Sequence, residues 1–244
     1  MKELRKRVLT ALFACSLMAL SSNYLTFFSR TPQMPQILLA KELEDKDSKQ
    51  TIYLTVDDGP KKSIETLLEK CEEDDKITFF MIGKLLDTPN GFKLACKSLE
   101  LGHEIGNHSY SHPRFSKINI EKVKEEILKT DELIDKVYRK VGRKNPKLFR
   151  FPYGDLGNKK DKKEIKSFLE NQGYKIYFWD LDSEDWMHYS KKNKKNLDEI
   201  INIISKTKEG DIVLVHELPI TIEKIIPFYT YSDKYNLKTL TNIK

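Results

Sequence analysis

Residues 51–60 read TIYLTVDDGP, and how they are read decides the fold. The first six are rich in β-branched and aromatic side chains, as a strand requires. Two adjacent aspartates then close the run before Gly-Pro. An Asp-Gly-Pro turn that merely ends a strand is one reading. The other is a site built on the strand's carboxyl end, since a turn does not need two aspartates directly after an apolar strand. Neighbouring side chains diverge on a strand. On the second reading, one carboxylate would therefore bind a metal and the other would work on substrate.

Working outward, strand and helix patterns alternate. SIETLLEKCEE (63–73) is helical with Ser63 as a candidate N-cap, ITFFMIG (77–83) is a short apolar strand, and GFKLACKSLELG (91–102) is helical. After Asn119, Ile120, Val123, Ile127, Thr130, Ile134, Val137 and Val141 recur at spacings of three and four until Gly142 stops the helix. KLFRFPYG (147–154) and KIYFWDLD (175–182) read as strands around a helix at KKEIKSFLENQG (162–173). LDEIINIISK (197–206) is helical, DIVLVHE (211–217) a buried strand, ITIEKIIPFY (220–229) a short helix and LKTLT (237–241) a last strand. Strands alternating with helices imply crossover connections and an α/β fold with a mainly parallel sheet, open or closed into a barrel.

The 244 residues suffice for one sizeable core and are too few for two comfortable domains. The net charge of +6 is unevenly placed: residues 1–30 hold five of the 43 Lys and Arg against one of the 37 acids, leaving +2 on the rest. A near-neutral body gives no argument for a nucleic-acid partner. MKELRKR (1–7), the apolar VLTALFACSLMAL (8–20) and the small-residue site at Ala19–Ser21 read as an export signal. Cleavage, retention of residues 8–28 as a membrane anchor, and lipidation at Cys15 are three readings, and all place the body outside the cytoplasm. Membrane contact would then come only through this uncleaved or lipidated segment. Residues 31–50 follow as a linker, its end KELEDKDSKQ (41–50) polar and charged. Cys71 and Cys96 would pair in an oxidising compartment, or sit as separate small apolar side chains on helices.

Polar clusters fall at the carboxyl ends of the strands: Asp57-Asp58, His108 and His112, Arg150, Asp182 and Asp185, and His216. That edge is where parallel α/β proteins build sites. His108 and His112, in HEIGNHSYSHP (103–113), are four apart, so on a helical turn their rings would share a face and bind one metal. Solvated or core-satisfied histidines would look the same in sequence. An unpaired Arg150 after an apolar strand would be costly, so it needs a carboxylate, with Asp57 the candidate. His216 closes a buried strand and is either bonded to a neighbouring carbonyl or partnered by Asp182 or Asp185. Trp186 could wall an apolar pocket. His103 and His188 have no evident partner and are read as non-ligands.

TVDDGP, HEIGNHSYSH, RFPYG, DSEDW and LVH, in that order, resemble the five motifs of the polysaccharide deacetylases with a NodB homology domain, carbohydrate esterase family four. The likeness runs from about Thr51 to the C-terminus, making 51–244 a catalytic domain. It implies a distorted (β/α) barrel with an open groove and a divalent metal, usually zinc, sometimes cobalt or nickel. It implies Asp58, His108 and His112 as metal ligands and Asp57 as general base, with Arg150 orienting Asp57. It further implies the Tyr153 backbone N–H at the oxyanion and His216 as general acid tuned by Asp185. The partner implied is an acetylated glycan of the envelope or exterior: peptidoglycan, chitin-like or exopolysaccharide. An O-acetyl xylan, a sugar-linked lipid, or a catalytically silent glycan-binding module are the alternatives. From the residues alone, two histidines and one carboxylate would also suit a non-haem iron site. Val56 stands where the family commonly has Phe, and Glu217 where Asp is common after the last His. Lysine-rich NKKDKKEIK (158–166) and KKNKK (191–195) would favour an anionic substrate if they rim the groove.

Overall fold

The computed structural model describes residues 49–243. Eight strands form one sheet: β1 (Gln50–Gly59), β2 (Thr78–Met81), β3 (Glu104–Asn107), β4 (Leu148–Phe149), β5 (Lys175–Ile176), β6 (Leu181–Asp182), β7 (Ile212–His216) and β8 (Tyr235–Leu237). Every ladder is parallel, in the order β5-β4-β3-β2-β1-β7-β6, with β8 against the start of β1. Around them lie α1 (Ile64–Glu69), α2 (Gly83–Leu86), α3 (Pro89–Glu100), α4 (Ile120–Lys140), α5 (Lys162–Asn171), α6 (Leu197–Ile204) and α7 (Ile226–Thr230).

β5 and β6 are the two edges of the sheet, yet only residues 177–180 separate them. A chain extends at most roughly 3.5 Å per residue, so the edges must curl toward one another. The result is the expected distorted (β/α) barrel, closed along one seam by irregular chain. Tyr177 N–H donates to the Phe149 carbonyl at one edge and Asp180 N–H to the Ile212 carbonyl at the other, both at 2.9 Å. KIYFWDLD is therefore two short strands and not one, because the same eight residues serve both edges.

Period-two alternation along β1 sorts its side chains. Ile52, Leu54 and Val56 are buried in the main core with Leu67, Ile200 and Ile225. Tyr53 packs on the opposite face with Phe80, Leu148 and Leu240, inside the barrel, and Thr55 and Asp57 follow on that same face. Glu104–Asn107, which carries no apolar-strand signature in the sequence, is a fully buried strand. Gly106 sits in it because a Cβ there would lie 2.6 Å from the Phe80 ring. The last strand lies earlier than LKTLT suggests: Leu240 begins a single 3₁₀ turn, Leu240–Asn242, and is buried at the barrel's foot.

The long helix is as its periodicity predicts, with Val123, Ile127, Thr130, Ile134 and Val137 buried and Asn119 Oδ1 accepting the Lys122 N–H at 2.8 Å. Ser63 makes no such cap; its hydroxyl goes elsewhere. Cys71 and Cys96 are free thiols, and burial pushes the Cys71 thiol up to about 12. Among the described residues no helix is long and apolar enough to cross a membrane. The export signal, the anchor, Cys15 and all but the last two linker residues lie outside the described residues; β1 already begins at Gln50. Replacing Asn119 by Ala should lower the free energy of unfolding in urea by ~1 kcal/mol, and Asn119→Ser should restore it.

Candidate active site

Parallel strands deliver their carboxyl ends to one mouth, and a cavity of about 400 Å³ opens there. Asp57, at the end of β1 inside the barrel, is 3% exposed. Arg150, which follows β4, is fully buried beside it, and its Nη1 donates to Asp57 Oδ1 at 3.0 Å and to Thr55 Oγ1 at 2.6 Å. Its other donors reach the seam: Nη2 to the Phe178 carbonyl at 2.9 Å and Nε to the Tyr177 carbonyl at 3.3 Å. Burial raises the Asp57 carboxyl above the usual range, with the Arg150 charge working against the rise. Oδ2 remains toward the cavity, 3.5 Å from His108 Nε2.

The two aspartates do not diverge. Asp58 has φ 69, a left-handed backbone that breaks the strand alternation, and both carboxylates line the same cavity. Nor do the histidines sit on a helical turn: His108 and His112 lie on the loop after β3, with His112 itself at φ 59. The loop is held from several sides. Asn107 Oδ1 accepts the Ser109 N–H, Glu126 of α4 accepts the Ser111 N–H and hydroxyl, and the Gly83 and Lys84 N–H groups at the start of α2 donate to the Ser109 and Tyr110 carbonyls. His108 Nδ1 lies 2.9 Å from the Arg150 carbonyl, which can only accept, so Nδ1 carries the proton and Nε2 presents its lone pair. Asp58 Oδ1 is 3.7 Å from that nitrogen and 3.3 Å from His112 Nε2. Burial first, then the neighbouring His112, takes His108 down to about 3, and burial also lowers His112.

One donor atom each from Asp58, His108 and His112 falls within 4.8 Å of the others. Asp58 Oδ1 is buried with no hydrogen-bond partner among the described residues. An orphaned carboxylate oxygen facing the lone pair of His108 Nε2, with His112 Nε2 beside it, is a cost that a divalent cation would remove, and the residues fit one.

Across the cavity, His216 ends β7. Its Nδ1 is 2.7 Å from Asp185 Oδ1, and the Asp185 carboxylate also accepts from the His216 N–H at 2.7 Å and the Thr221 hydroxyl at 2.5 Å. Burial pulls the imidazole down, but the bond and charge of Asp185, with Asp57 and Asp58 beyond, outweigh it and raise His216 to about 9. Asp182, the other candidate partner, accepts the Glu184 N–H instead and lines the groove. Tyr153 and Trp186 are exposed on its walls, with Phe151, Trp179, Leu214 and Leu218 between them. Tyr153 has φ 58, a strained conformation for an aromatic residue, and its ring lies 4.4 Å from that of His112. His103 and His188 stay apart: His103 Nδ1 accepts the Ile77 N–H, and His188 Nδ1 lies 3.0 Å from the Lys195 carbonyl.

Two contributors were not assigned from sequence. Trp179, hidden in an apparent strand, lines the groove because it lies on the seam. Glu217, 2% exposed, accepts the Lys61 N–H at 2.9 Å and the Ser63 hydroxyl at 2.5 Å, while its own N–H donates to the Asp57 carbonyl. It thereby ties the turn after Asp57-Asp58 to the strand end carrying His216. Gly59 admits it: a Cβ there would lie 2.5 Å from Glu217 Oε2. Only its carboxylate, one step from His216, hinted at this in the sequence.

Two measurements check this geometry. Glu217→Ala strands two donors and should cost ~1–3 kcal/mol of stability in urea unfolding. His216 has its pKa raised from 6.5 to about 9, so the stability it draws from Asp185 is complete below the lower value and is lost as pH rises through the upper. The urea-midpoint gap between the native chain and Asp185→Asn should therefore be widest in mild acid and narrow through about pH 9.

A model of the family "Polysaccharide deacetylase" matches residues 44–176. A peptidoglycan-N-acetylglucosamine deacetylase of Bacillus cereus is 30% identical over 191 residues, covering 74% of this chain and 63% of the relative. Chitin deacetylase 1 of Saccharomyces cerevisiae is 30% identical over 178 residues, covering 72% and 55%. The chain thus spans less than two thirds of the length of either curated relative. The structure of peptidoglycan deacetylase PdaC from Bacillus subtilis superposes with a TM-score of 0.64 at 26% identity, over 79% of this chain and 89% of that one. The ordered motifs, the parallel barrel and the family match agree: the chain belongs to the polysaccharide deacetylase family.

Proposed function

We propose that this protein is a metal-dependent hydrolase that removes N-acetyl groups from N-acetylglucosamine-type residues of an envelope or extracellular polysaccharide, such as peptidoglycan, a chitin-like chain or an exopolysaccharide. Residues 51–244 are the catalytic domain, and residues 1–30 export or anchor it. The observation that carries the reading is a single groove in which three clustered donor side chains, their two imidazoles lowered by burial, face an imidazole tuned the opposite way. The similarity to peptidoglycan and chitin deacetylases supports the substrate class.

Asp58, His108 and His112 would hold the cation, zinc by preference with cobalt or nickel as substitutes. When bound, it would acidify water and polarise the acetyl carbonyl. Asp57 accepts the proton of the attacking water on Oδ2, since Arg150 occupies Oδ1. As the new C–O bond forms, the backbone N–H of Tyr153 donates to the developing oxyanion. When the C–N bond breaks, the electron pair leaves on nitrogen, and His216 Nε2 protonates it because Nδ1 is committed to Asp185. Acetate and a free amino sugar result. Trp186 and Tyr153 offer the sugar ring apolar faces at the groove wall.

Stripping the protein with a chelator should abolish acetate release from N-acetylglucosamine oligomers, and added zinc should restore it. Bound zinc with no acetate from any acetylated glycan would instead identify a silent binding module. The division of labour predicts that Asp57→Asn retains zinc but loses at least ~100-fold in kcat, whereas Asp58→Asn loses zinc itself. Equal zinc loss in both variants, measured by equilibrium dialysis, would overturn it.

A further inference from the structure

Arg114 lines the same groove as Asp57, Asp58, His112 and His216 but has no place in the chemistry above. Its guanidinium carbon stands 4.1 Å over the centre of the Tyr153 ring, and that ring stands 4.4 Å from His112. The Tyr153 ring thus touches both the Arg114 guanidinium and His112. The backbone beneath it is fixed, with Pro113 before and Phe115, 1% exposed in the aromatic core of Phe149 and Phe151, after. Among the described residues Arg114 forms no ion pair. The carboxylate of nearby Asp155 is engaged by the Ser116 N–H and hydroxyl and by the Gly157 N–H.

Arg114 is exposed, and its charge adds to the Ser116 and Gly157 hydrogen bonds that hold Asp155 below the usual carboxylate range. Its guanidinium makes no hydrogen bond among the described residues, so a cation held over an aromatic ring has N–H donors to spare for a ligand. Asp57, Asp58 and Asp182 line the same groove together with the positively charged His216, so its walls carry both signs of charge. A carboxylate on a bound sugar would gain a charge-assisted contact from Arg114 that a neutral glycan cannot make. Arginine's planar fork suits a carboxylate in two-point contact. Lysines at 159–163 and 191–194 are exposed and form no ion pair among the described residues, which leaves the surface after each groove wall basic.

We infer that Arg114 is a specificity residue that binds a carboxylate on the acetylated sugar or its neighbour, so that the groove selects an acidic acetylated glycan over a neutral one. The inference rests on the deacetylase reading for the identity of the substrate. The test compares one N-acetylated oligosaccharide bearing lactyl-ether carboxylates with the same oligosaccharide converted to its amide. The native protein should favour the carboxylate form by about tenfold in kcat/KM, chiefly through KM. Arg114→Gln should erase most of that preference, Arg114→Lys should retain part of it, and raised salt should shrink it. Equal losses on both forms in Arg114→Gln would make Arg114 a mere support for Tyr153 and overturn the inference, as would a native protein with no preference. Binding of the two forms by Asp57→Asn protein gives the same comparison without turnover. A carboxylate preference there, with no acetate released by the native protein, would sink the deacetylase reading and leave this one standing. Equal binding would sink this one.

Discussion

The structure turns on one buried guanidinium. Arg150 is sealed inside the barrel, where an unpaired charge would cost several kcal/mol, and each contact that offsets the cost has a second purpose. The bonds to the Tyr177 and Phe178 carbonyls close the seam between the sheet's two edges. The bonds to Thr55 and Asp57 fix the orientation of a carboxylate whose pKa is raised by burial against the Arg150 charge. The residue's own carbonyl takes the Nδ1 proton of His108 and so points the other ring nitrogen at Asp58. Barrel closure, the proposed base and the tautomer of a proposed metal ligand are therefore set by a single residue.

Electrostatics then separates chemically identical side chains. His108 and His216 are both mostly buried imidazoles facing the groove, yet one is held neutral and the other positively charged. The difference is Asp185, which no counterpart supplies to His108 on the matching nitrogen. His103 is depressed to about 4 in much the same way, by burial first and then by the Lys76 and Arg143 charges, yet it accepts the Ile77 N–H and packs on Phe79 away from the groove. A depressed imidazole is thus by itself no mark of a site. Opposed shifts across one cavity are a far stronger one.

Much of this was legible in the sequence, for identifiable reasons. Asn119 and the stripe behind it declared α4, and TIYLTV and DIVLVHE declared the central strands, because each has one dominant periodicity. Strand ends carrying Asp57, Arg150 and His216 located the mouth. What stayed hidden depends on partners distant in the chain. β3 is a strand only because Phe80 and Leu148 enclose Gly106. KIYFWDLD divides because it meets two edges. The convergence of Asp57 and Asp58 follows from one backbone torsion that no side-chain pattern encodes. Glu217 looked like a neutral exchange for aspartate until Lys61 and Ser63 were found on it.

Six described residues other than glycine have left-handed backbones, and Asp58, Ser109, His112 and Tyr153 among them belong to the groove or its supporting loop. Such torsions cost of order 1–3 kcal/mol each and persist only when the surroundings enforce them. The fold therefore invests part of its marginal stability in its functional edge. Any selection for thermostability alone, natural or in the laboratory, meets its easiest gains there, where relaxing a torsion would also turn a donor atom away. In this scaffold robustness and reactivity compete for the same few peptide units.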